Sequence, residues 1–202
     1  MVEQSKWMAQ VERNPGHSQW YVERFRTMAA EGQDIVGEAR LVDAMLPRGA
    51  RVLDAGCGPG RLAGYLHGVG HHVTGVDVDP ALIAAAKRDH PGPRYEVADL
   101  ATLPDLDLGA PFDAIVCAGN VVTFLAESTR RDVVRGFRAH LAPEGRAVVG
   151  FGTGRGYPVS VFFDDAAAAG LTPEVTLGSW DLRPWREGGD FLVAVLGVSR
   201  TA

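Results

Sequence analysis

The sequence RVLDAGCGPGR at residues 51–61 predicts a short buried strand that is followed at once by a glycine loop. Val52 and Leu53 supply the strand, the loop has the spacing G-x-G-x-G over residues 56–60, and LAGYLHG at 62–68 begins a helix. Glycine permits a tight backbone turn and lets a ligand approach without a Cβ in the way. A helix N-terminus behind such a loop offers unpaired N–H groups and a partial positive charge, so the stretch suits a nucleotide-like ligand.

Two kinds of nucleotide-like ligand use a glycine loop of this type, and details of the loop separate them. A dinucleotide fingerprint has the spacing G-x-G-x-x-G, but here the position of its third glycine holds Arg61. Asp54, directly before the loop, would repel a pyrophosphate, whereas it can accept hydrogen bonds from loop N–H groups or a ligand ammonium. Asp77, at the end of the apolar run HVTGVD, can accept hydrogen bonds from both hydroxyls of a ribose. A nucleoside with an amino-acid tail is therefore favoured, and a nicotinamide-dependent oxidoreductase is the least favoured alternative.

Three segments in chain order carry a resemblance to a known family. VLDAGCGPGR at 52–61, GVDVD at 75–79 and ADL at 98–100 resemble the first three signature segments of class I S-adenosylmethionine-dependent methyltransferases. The resemblance implies an α/β fold, a Rossmann-like seven-stranded, mostly parallel sheet with helices on both faces and an antiparallel last strand. It also implies S-adenosyl-L-methionine as the cofactor and S-adenosyl-L-homocysteine as the product. The implied reaction is in-line transfer of a methyl group to a small-molecule acceptor.

The resemblance assigns roles to residues at two predicted strand ends. Asp77 is expected to bind the ribose, and Val78 to lie against one face of the adenine. The carboxylate of Asp99 and the backbone N–H of Leu100 are expected to bind the edge of the adenine. Asp79 stands directly before a proline that is well placed at the first position of a helix, so we interpret it as a helix cap.

The same resemblance extends to the methionine part of the cofactor. The carbonyls of Cys117 and Ala118 are expected to face the methionine ammonium, and Arg61 either contacts the methionine carboxylate or is solvated. The complete set of predicted cofactor-binding residues is Asp54, Gly56, Cys57, Gly58, Gly60, Arg61, Asp77, Val78, Asp99, Leu100, Cys117, Ala118, Gly119 and Asn120.

The methyl acceptor leaves a weaker signal. Gly119-Asn120 resembles the G-N of small-molecule N-methyltransferases of the glycine and sarcosine type, and no N-P-P-[YFW] tetrapeptide of nucleic-acid amino methyltransferases occurs. Arg155, after the fifth predicted strand, can clamp an acceptor carboxylate or be a solvated loop residue. No catalytic base is assigned. The substrate-pocket candidates are Tyr21, Arg24, Arg155 and Tyr157.

The chain as a whole predicts one methyltransferase domain, residues 1–202, in two parts. Residues 1–46 have helical periodicity, with Asp34 as the N-cap of a second helix. These helices either only cover the sheet or, as the resemblance implies, close over the cofactor and wall the acceptor pocket. Residues 47–202 form the S-adenosylmethionine-binding core. They alternate predicted strands and helices, which is typical of a parallel sheet, and end in a predicted antiparallel pair.

Composition narrows the class of partner. A net charge of −5 over 202 residues argues against nucleic acid or an anionic membrane surface as the main partner. The two cysteines, Cys57 and Cys117, make neither a disulfide framework nor a metal site, so no metal is predicted and the protein is expected in the cytoplasm. No apolar run reaches the ~20 residues of a membrane span. A cofactor-binding regulatory protein without turnover is the main alternative, and both a monomer and a homodimer remain open.

Overall fold

The structure is a computed structural model that describes residues 2–109 and 111–199. Its strands are β1 (Arg51–Ala55), β2 (His72–Asp77), β3 (Arg94–Val97), β4 (Phe112–Cys117), β5 (Leu141–Gly152), β6 (Leu171–Leu177) and β7 (Phe191–Val198). Its helices are α1 (Lys6–Arg13), α2 (His17–Ala30), α3 (Gly37–Ala44), α4 (Arg61–Gly68), α5 (Pro80–Asp89), α6 (Val121–Phe124), α7 (Arg130–His140) and α8 (Val159–Ala168). In the described part of the chain, every helix falls short of the length and apolarity that crossing a membrane requires.

The seven strands form one sheet in the order β3-β2-β1-β4-β5-β7-β6. Strands β1 to β5 pair in parallel, whereas β7 pairs antiparallel with both β5 and β6. The chain moves outward from β1 to β3 and then returns to place β4 on the other side of β1. In open α/β sheets ligands bind at the carboxyl ends of the strands beside such a reversal of strand order. The predicted α/β fold class, with its antiparallel last strand, is confirmed.

The central strands are buried on both faces, which is why they are continuous apolar runs in the sequence. Leu53 and Ile115 point into the apolar layer that contains Phe137 of α7. Their neighbours Val52 and Val116 point into the opposite layer, against α4 and α5. This alternation follows from the two-residue period of a strand. The two apolar layers hold the carboxyl ends of β1 and β4 side by side.

The start of α3 differs from the prediction. The helix begins at Gly37 with Val36 at the N-cap position, so Asp34 is not the N-cap. Instead, the Asp34 side chain accepts a hydrogen bond from the Val36 N–H at 3.3 Å and forms an ion pair with Arg40. The carboxylate therefore orders the turn before the helix and pairs with the helix's exposed face.

Candidate active site

The carboxyl ends of the central strands border a cleft with two adjacent lobes. The wide lobe holds about 580 Å³, counting the part that opens to solvent. The narrow lobe holds about 340 Å³, counted in the same way. The residues that border both lobes form the waist of the cleft, and they are Tyr21, Gly56, Gly58, Gly119 and Val121.

Most of the residues predicted to bind the cofactor meet at this cleft. Besides the three glycines of the waist, the wide lobe is bordered by Asp77, Val78, Asp99 and Leu100. The narrow lobe is bordered by Asp54, Cys57, Arg61 and Ala118. The structure therefore brings together residues from the ends of β1, β2, β3 and β4.

Three predicted residues do not border either lobe. Gly60 has a φ of +85°, and a Cβ there would lie 2.8 Å from the Cβ of Ala86, so this glycine permits α4 to pack on α5. The side chain of Cys117 lies in the apolar layer above the sheet. Asn120 uses its side-chain oxygen to accept a hydrogen bond from the Gly152 N–H at 2.7 Å, which ties the β4 loop to the end of β5.

Asp77 lies at the end of β2 with its carboxylate held from two sides. Its Oδ2 accepts a hydrogen bond from the Gly58 N–H at 2.9 Å, and its Oδ1 accepts one from the Asp79 N–H at 2.9 Å. Burial raises the pKa of Asp77 to about 6, although these backbone N–H groups lower it. The glycine loop and the β2 loop thus fix one buried carboxylate in the wide lobe.

Asp54 lies at the end of β1 and borders the narrow lobe. It is 1% exposed, and it accepts a hydrogen bond from the Ala63 N–H in the first turn of α4 at 3.1 Å. Burial raises the pKa of Asp54 to about 7, although the positive charge of Arg61 lowers it. A cationic ligand group in the narrow lobe would therefore find a carboxyl that ionises readily in its presence.

Asp99 follows β3 at the edge of the wide lobe. Its Oδ1 accepts a hydrogen bond from the Ala101 N–H at 2.9 Å, so it caps the short 3-10 helix at Leu100–Asp105. This cap fixes the carboxylate and turns the chain so that Leu100 also borders the lobe. Both residues reach the cleft because β3 lies beside β2 in parallel register.

Two glycines of the waist, Gly58 and Gly119, lie opposite Tyr21 and form the floor of the cleft. A Cβ at Gly58 (φ +54°) would lie 3.6 Å from the Tyr21 ring, and one at Gly119 (φ +68°) would lie 4.0 Å from the Tyr21 hydroxyl. A side chain at either position would occupy the space between the floor and Tyr21. Glycine at both positions keeps further side chains out of the waist, so a ligand there would meet the loop backbone and Tyr21.

An aromatic roof, formed by Trp7, Tyr21 and Phe124, closes over the cleft. The Trp7 ring makes edge-on contacts with Tyr21 at 5.1 Å and with Phe124 at 5.8 Å between ring centroids. Burial raises the pKa of Tyr21, so its phenol stays protonated near neutral pH. Phe124 is absent from the predicted site, although the apolar run VVTFL at 121–125 is the signal that would have placed it there.

Comparison with known proteins identifies the family. Residues 52–145 match the family model of the methyltransferase domain. A solved TehB-like SAM-dependent methyltransferase from Corynebacterium glutamicum is 50% identical, with 92% of this chain and 100% of that chain covered and a TM-score of 0.88. The chain belongs to the class I S-adenosylmethionine-dependent methyltransferases.

Curated relatives within this methyltransferase family match over shorter stretches. A dTDP-4-amino-2,3,4,6-tetradeoxy-D-glucose N,N-dimethyltransferase from Saccharopolyspora spinosa is 33% identical over 128 residues, 62% of this chain and 49% of the relative. A malonyl-[acyl-carrier protein] O-methyltransferase from Erwinia billingiae is 35% identical over 89 residues, 44% of this chain and 34% of the relative. The chain thus spans half or less of the length of these relatives. The likeness of its G-N segment to glycine and sarcosine methyltransferases stays a prediction.

The cleft of this methyltransferase fits the family's cofactor. S-adenosylmethionine has a diol, an adenine edge and an ammonium group, and the cleft presents a carboxylate near each end. Asp77 and Asp99 border the wide lobe, and Asp54 borders the narrow lobe. The glycine floor joins the lobes at the waist. A ligand with a polar nucleoside at one end and a cationic tail at the other would donate hydrogen bonds to these carboxylates.

Arg61 forms an ion pair that the sequence did not predict. Its guanidinium forms a bidentate ion pair with Glu38 of α3, at 2.8 and 2.6 Å, and donates a further hydrogen bond to the Ile35 carbonyl. Both charged side chains are largely buried. Arg61 therefore joins α3 to α4 and forms one wall of the narrow lobe. Arg61 is therefore not solvated, whereas its predicted contact with the methionine carboxylate stays a prediction.

Two arginines predicted for the substrate pocket lie outside both lobes. Arg24 is exposed on α2, with its guanidinium 6.0 Å from the Trp20 ring centroid and 5.8 Å from that of Phe25. Arg155 is exposed in the loop after β5, and its side chain lies against Gly152. Among the four pocket candidates, Tyr21 is the one that the structure brings to the cleft.

Tyr157 lies in the apolar core rather than in a pocket, so its predicted position is wrong. It is 0% exposed and packs between Phe151 and Phe162. Its hydroxyl donates a hydrogen bond to Asp165 at 2.9 Å, and the Arg130 guanidinium lies 4.4 Å from its ring centroid. The ring is buried because the loop after β5 folds back onto α8.

Proposed function

We propose that this protein transfers a methyl group from S-adenosylmethionine to a small-molecule acceptor. The observation that carries the proposal is the convergence of three carboxylates, Asp54, Asp77 and Asp99, on one cleft with a glycine floor. Each carboxylate lies at or just past the end of a different parallel strand, so the sheet itself sets their spacing. This arrangement matches the cofactor of the family to which the chain belongs.

The proposed roles follow from the two lobes. Asp77 accepts hydrogen bonds from the ribose hydroxyls, and Asp99 with the Leu100 N–H binds the adenine edge. Asp54 binds the methionine ammonium in the narrow lobe. The waist, with Gly58 and Gly119 on its floor, then lies where the two halves of the cofactor join.

The protein's contribution to the reaction is placement and exclusion of water. When bound, S-adenosylmethionine supplies an activated methyl group on a sulfonium sulfur. Tyr21 gives the waist an aromatic wall, and Trp7 and Phe124 border the wide lobe beside it, which favours a step in which charge is dispersed. Alignment of acceptor and methyl group can supply ~7–11 kcal/mol of the barrier. The roof and the floor together are the parts of this chain that set that alignment.

Tyr21 is assigned to positioning rather than to proton transfer. It borders both lobes, but burial raises its pKa, so the phenol is a hydrogen-bond donor rather than a base. With no base assigned, an acceptor whose nucleophilic atom is already free of the proton that would block attack fits this site best. An amine in its neutral form satisfies this condition, as does an ionised oxygen or sulfur.

We propose a small-molecule acceptor because of the relatives and the size of the cleft. The relatives named above act on an amino sugar nucleotide and on a malonyl-carrier protein, and both acceptors present a small group for methylation. We extend the proposal to one methyltransferase domain, a cytoplasmic location suggested by the two free thiols, and a monomer or homodimer that does not act on nucleic acid. These further points rest on the sequence.

Calorimetry tests the cofactor part of the proposal. Wild-type protein is titrated with S-adenosylmethionine, S-adenosylhomocysteine and NAD, and so are Asp77→Ala and the control Asp132→Ala, which removes an exposed carboxylate of α7. The two adenosyl ligands should bind to wild type and to the control. Asp77→Ala should weaken them roughly 100-fold, since two hydrogen bonds to a charged group are lost. Unchanged binding to Asp77→Ala, or tight binding of NAD, contradicts the proposal.

Turnover tests the catalytic part. The protein is incubated with S-adenosylmethionine and a panel of amino sugars, amines, phenols, thiols and carboxylic acids, and S-adenosylhomocysteine is quantified. Formation above the acceptor-free background with at least one compound supports a methyltransferase. Tight cofactor binding without product across the panel favours the regulatory alternative.

A further inference from the structure

The α1–α2 pair rests on the rest of the protein through little apolar surface. Its buried contact consists of Val22 of α2 against Leu82 and Ala85 of α5, with Trp7 and Tyr21 at the margin. Beside this contact, a cavity of about 590 Å³, counting its open part, lies between part of α2 and the residues Pro59 and Arg61. Because cavities remove packing contacts, directed polar bonds take a larger share in holding the pair in place.

Two of these polar bonds converge on one atom. The Trp7 indole N–H of α1 donates to Asp79 Oδ2 at 2.9 Å, and the Ser18 hydroxyl of α2 donates to the same oxygen at 2.5 Å. Asp79 is 2% exposed, so both bonds are shielded from water. One carboxylate oxygen in the β2–α5 loop thus holds both helices that lie over the cleft.

The remaining groups of Asp79 connect these helices to the cleft. Its Oδ1 accepts a hydrogen bond from the Ala81 N–H at 2.8 Å, which caps α5 as the sequence predicts. Its backbone N–H donates to Asp77 Oδ1 at 2.9 Å, and the other oxygen of Asp77 holds the Gly58 N–H. A continuous chain of hydrogen bonds therefore runs from Trp7 through Asp79 and Asp77 to the glycine loop.

We propose that Asp79 is a positioning residue that couples closure of the α1–α2 pair to the orientation of the Asp77 carboxylate. Trp7 contacts both Asp79 and the cleft: its N–H donates a hydrogen bond to Asp79, and its ring borders the wide lobe. A ligand leaves the wide lobe when the Trp7 ring moves aside, which breaks the bond to Asp79. Asp79 thereby sets how long the nucleoside product stays bound. The identity of that ligand rests on the proposed function, whereas the coupling itself is a property of the chain alone.

Conservative substitutions isolate this coupling. Trp7→Phe keeps an aromatic wall but removes the N–H donor. Asp79→Asn keeps the oxygen that caps α5 but turns an amide N–H₂ toward the donors of Trp7 and Ser18. Trp20→Phe is the matched control, since Trp20 is 56% exposed on the same pair of helices and does not contact Asp79.

Amide hydrogen exchange of the ligand-free protein tests the coupling directly. Trp7→Phe and Asp79→Asn should each speed exchange about 10-fold in α1 and α2 and also at the Gly58 N–H, whose acceptor is Asp77. The double variant should exchange no faster than the faster single variant, because both substitutions break one linkage. Trp20→Phe should leave Gly58 unchanged. If exchange rises in α1–α2 but not at Gly58, the helices open without Asp77 and the proposal is overturned.

Stopped-flow displacement of S-adenosylhomocysteine tests the consequence for the ligand. In both single variants the dissociation rate should rise about 10-fold with little change in the association rate. Equal dissociation rates in wild type and Trp7→Phe overturn the claim about residence time. Failure of wild type to bind the ligand at all would contradict the proposed function instead, and the exchange experiment would still decide the coupling.

Discussion

The central strands and the α1–α2 pair are held by different forces. In β1 and β4, Leu53 and Ile115 are 0% exposed, and apolar layers cover both faces of the sheet. In α1 no residue is fully buried, and in α2 only Ser18 and Val22 are. The pair is instead joined by hydrogen bonds and an ion pair to α5 and to the loop before it. Apolar burial resists opening at every residue, whereas a few directed bonds are lost together, so the pair can open while the sheet stays intact.

The largest expected effect belongs to the core. Phe137→Ala should lower the free energy of unfolding by about 3–5 kcal/mol, since the ring is 0% exposed and leaves a cavity. Val22→Ala, which removes two methyl groups under the α1–α2 pair, should lower it by about 1–2 kcal/mol or less. Urea titration followed by circular dichroism measures both. Equal losses in the two variants would contradict the difference between the regions.

The same contrast explains what the sequence predicts well. Strand and helix positions in the core follow from continuous apolar runs and from Pro80 and Gly60 at helix starts, which are local signals. The carboxylates at strand ends follow from the parallel sheet, because its topology alone brings Asp54, Asp77 and Asp99 to one edge. For this reason the fold and most of the cleft are predictable from residues 51–100.

Contacts that depend on how elements pack could not be predicted. Arg61 and Glu38 pair because α3 packs on α4, and nothing near either residue signals the partner. Tyr157 is buried because its loop folds onto α8, although its polar hydroxyl and its glycine neighbours are typical of an exposed loop. Asp79 is recognisable as a helix cap. Its bonds to Trp7 and Ser18, however, join residues that are 72 and 61 positions apart in the sequence, so they leave no local pattern.

An intermediate effect is expected from pH, and it has opposite signs for the buried carboxyls of the cleft and for the exposed carboxylate of Asp34. Burial raises the pKa of Asp54 to about 7 and of Asp77 to about 6, so the folded protein favours their protonated forms. Their contribution to stability is present below about pH 4 and is lost as pH rises through 6 and 7. On the N-terminal side, a hydrogen bond from Arg40 lowers the pKa of exposed Asp34 to about 2, and that small contribution is lost only as pH falls toward 2. The ligand-free protein should therefore melt at a lower temperature at pH 8 than at pH 5.

Ligand affinity should change in the reverse direction. An ammonium and a diol favour ionised carboxylates, so the Kd of S-adenosylhomocysteine should fall by up to about 10-fold per pH unit between pH 6 and 7. Calorimetry at fixed ionic strength measures this, and Asp54→Asn should remove the part of the dependence centred near pH 7. An affinity that falls as pH rises would show that the cleft binds its ligand with these carboxyls protonated.

The smallest expected effect concerns an ion pair that also joins the α1–α2 pair to α5. Arg26 of α2 forms an ion pair with Asp89 at the end of α5, at 2.8 Å, with 36% and 23% of the side chains exposed. Partly exposed pairs of this kind contribute little to stability, because water screens them and long side chains must be ordered. Arg26→Gln should therefore speed amide exchange in α1–α2 about twofold and leave the urea midpoint of the whole protein unchanged. In 1 M NaCl, where the Debye length is about 3 Å, the difference from wild type should shrink. If Arg26→Gln lowered the free energy of global unfolding by as much as it lowers the free energy of opening α1–α2, the pair and the sheet would unfold as one unit. The separation of the two regions would then not hold.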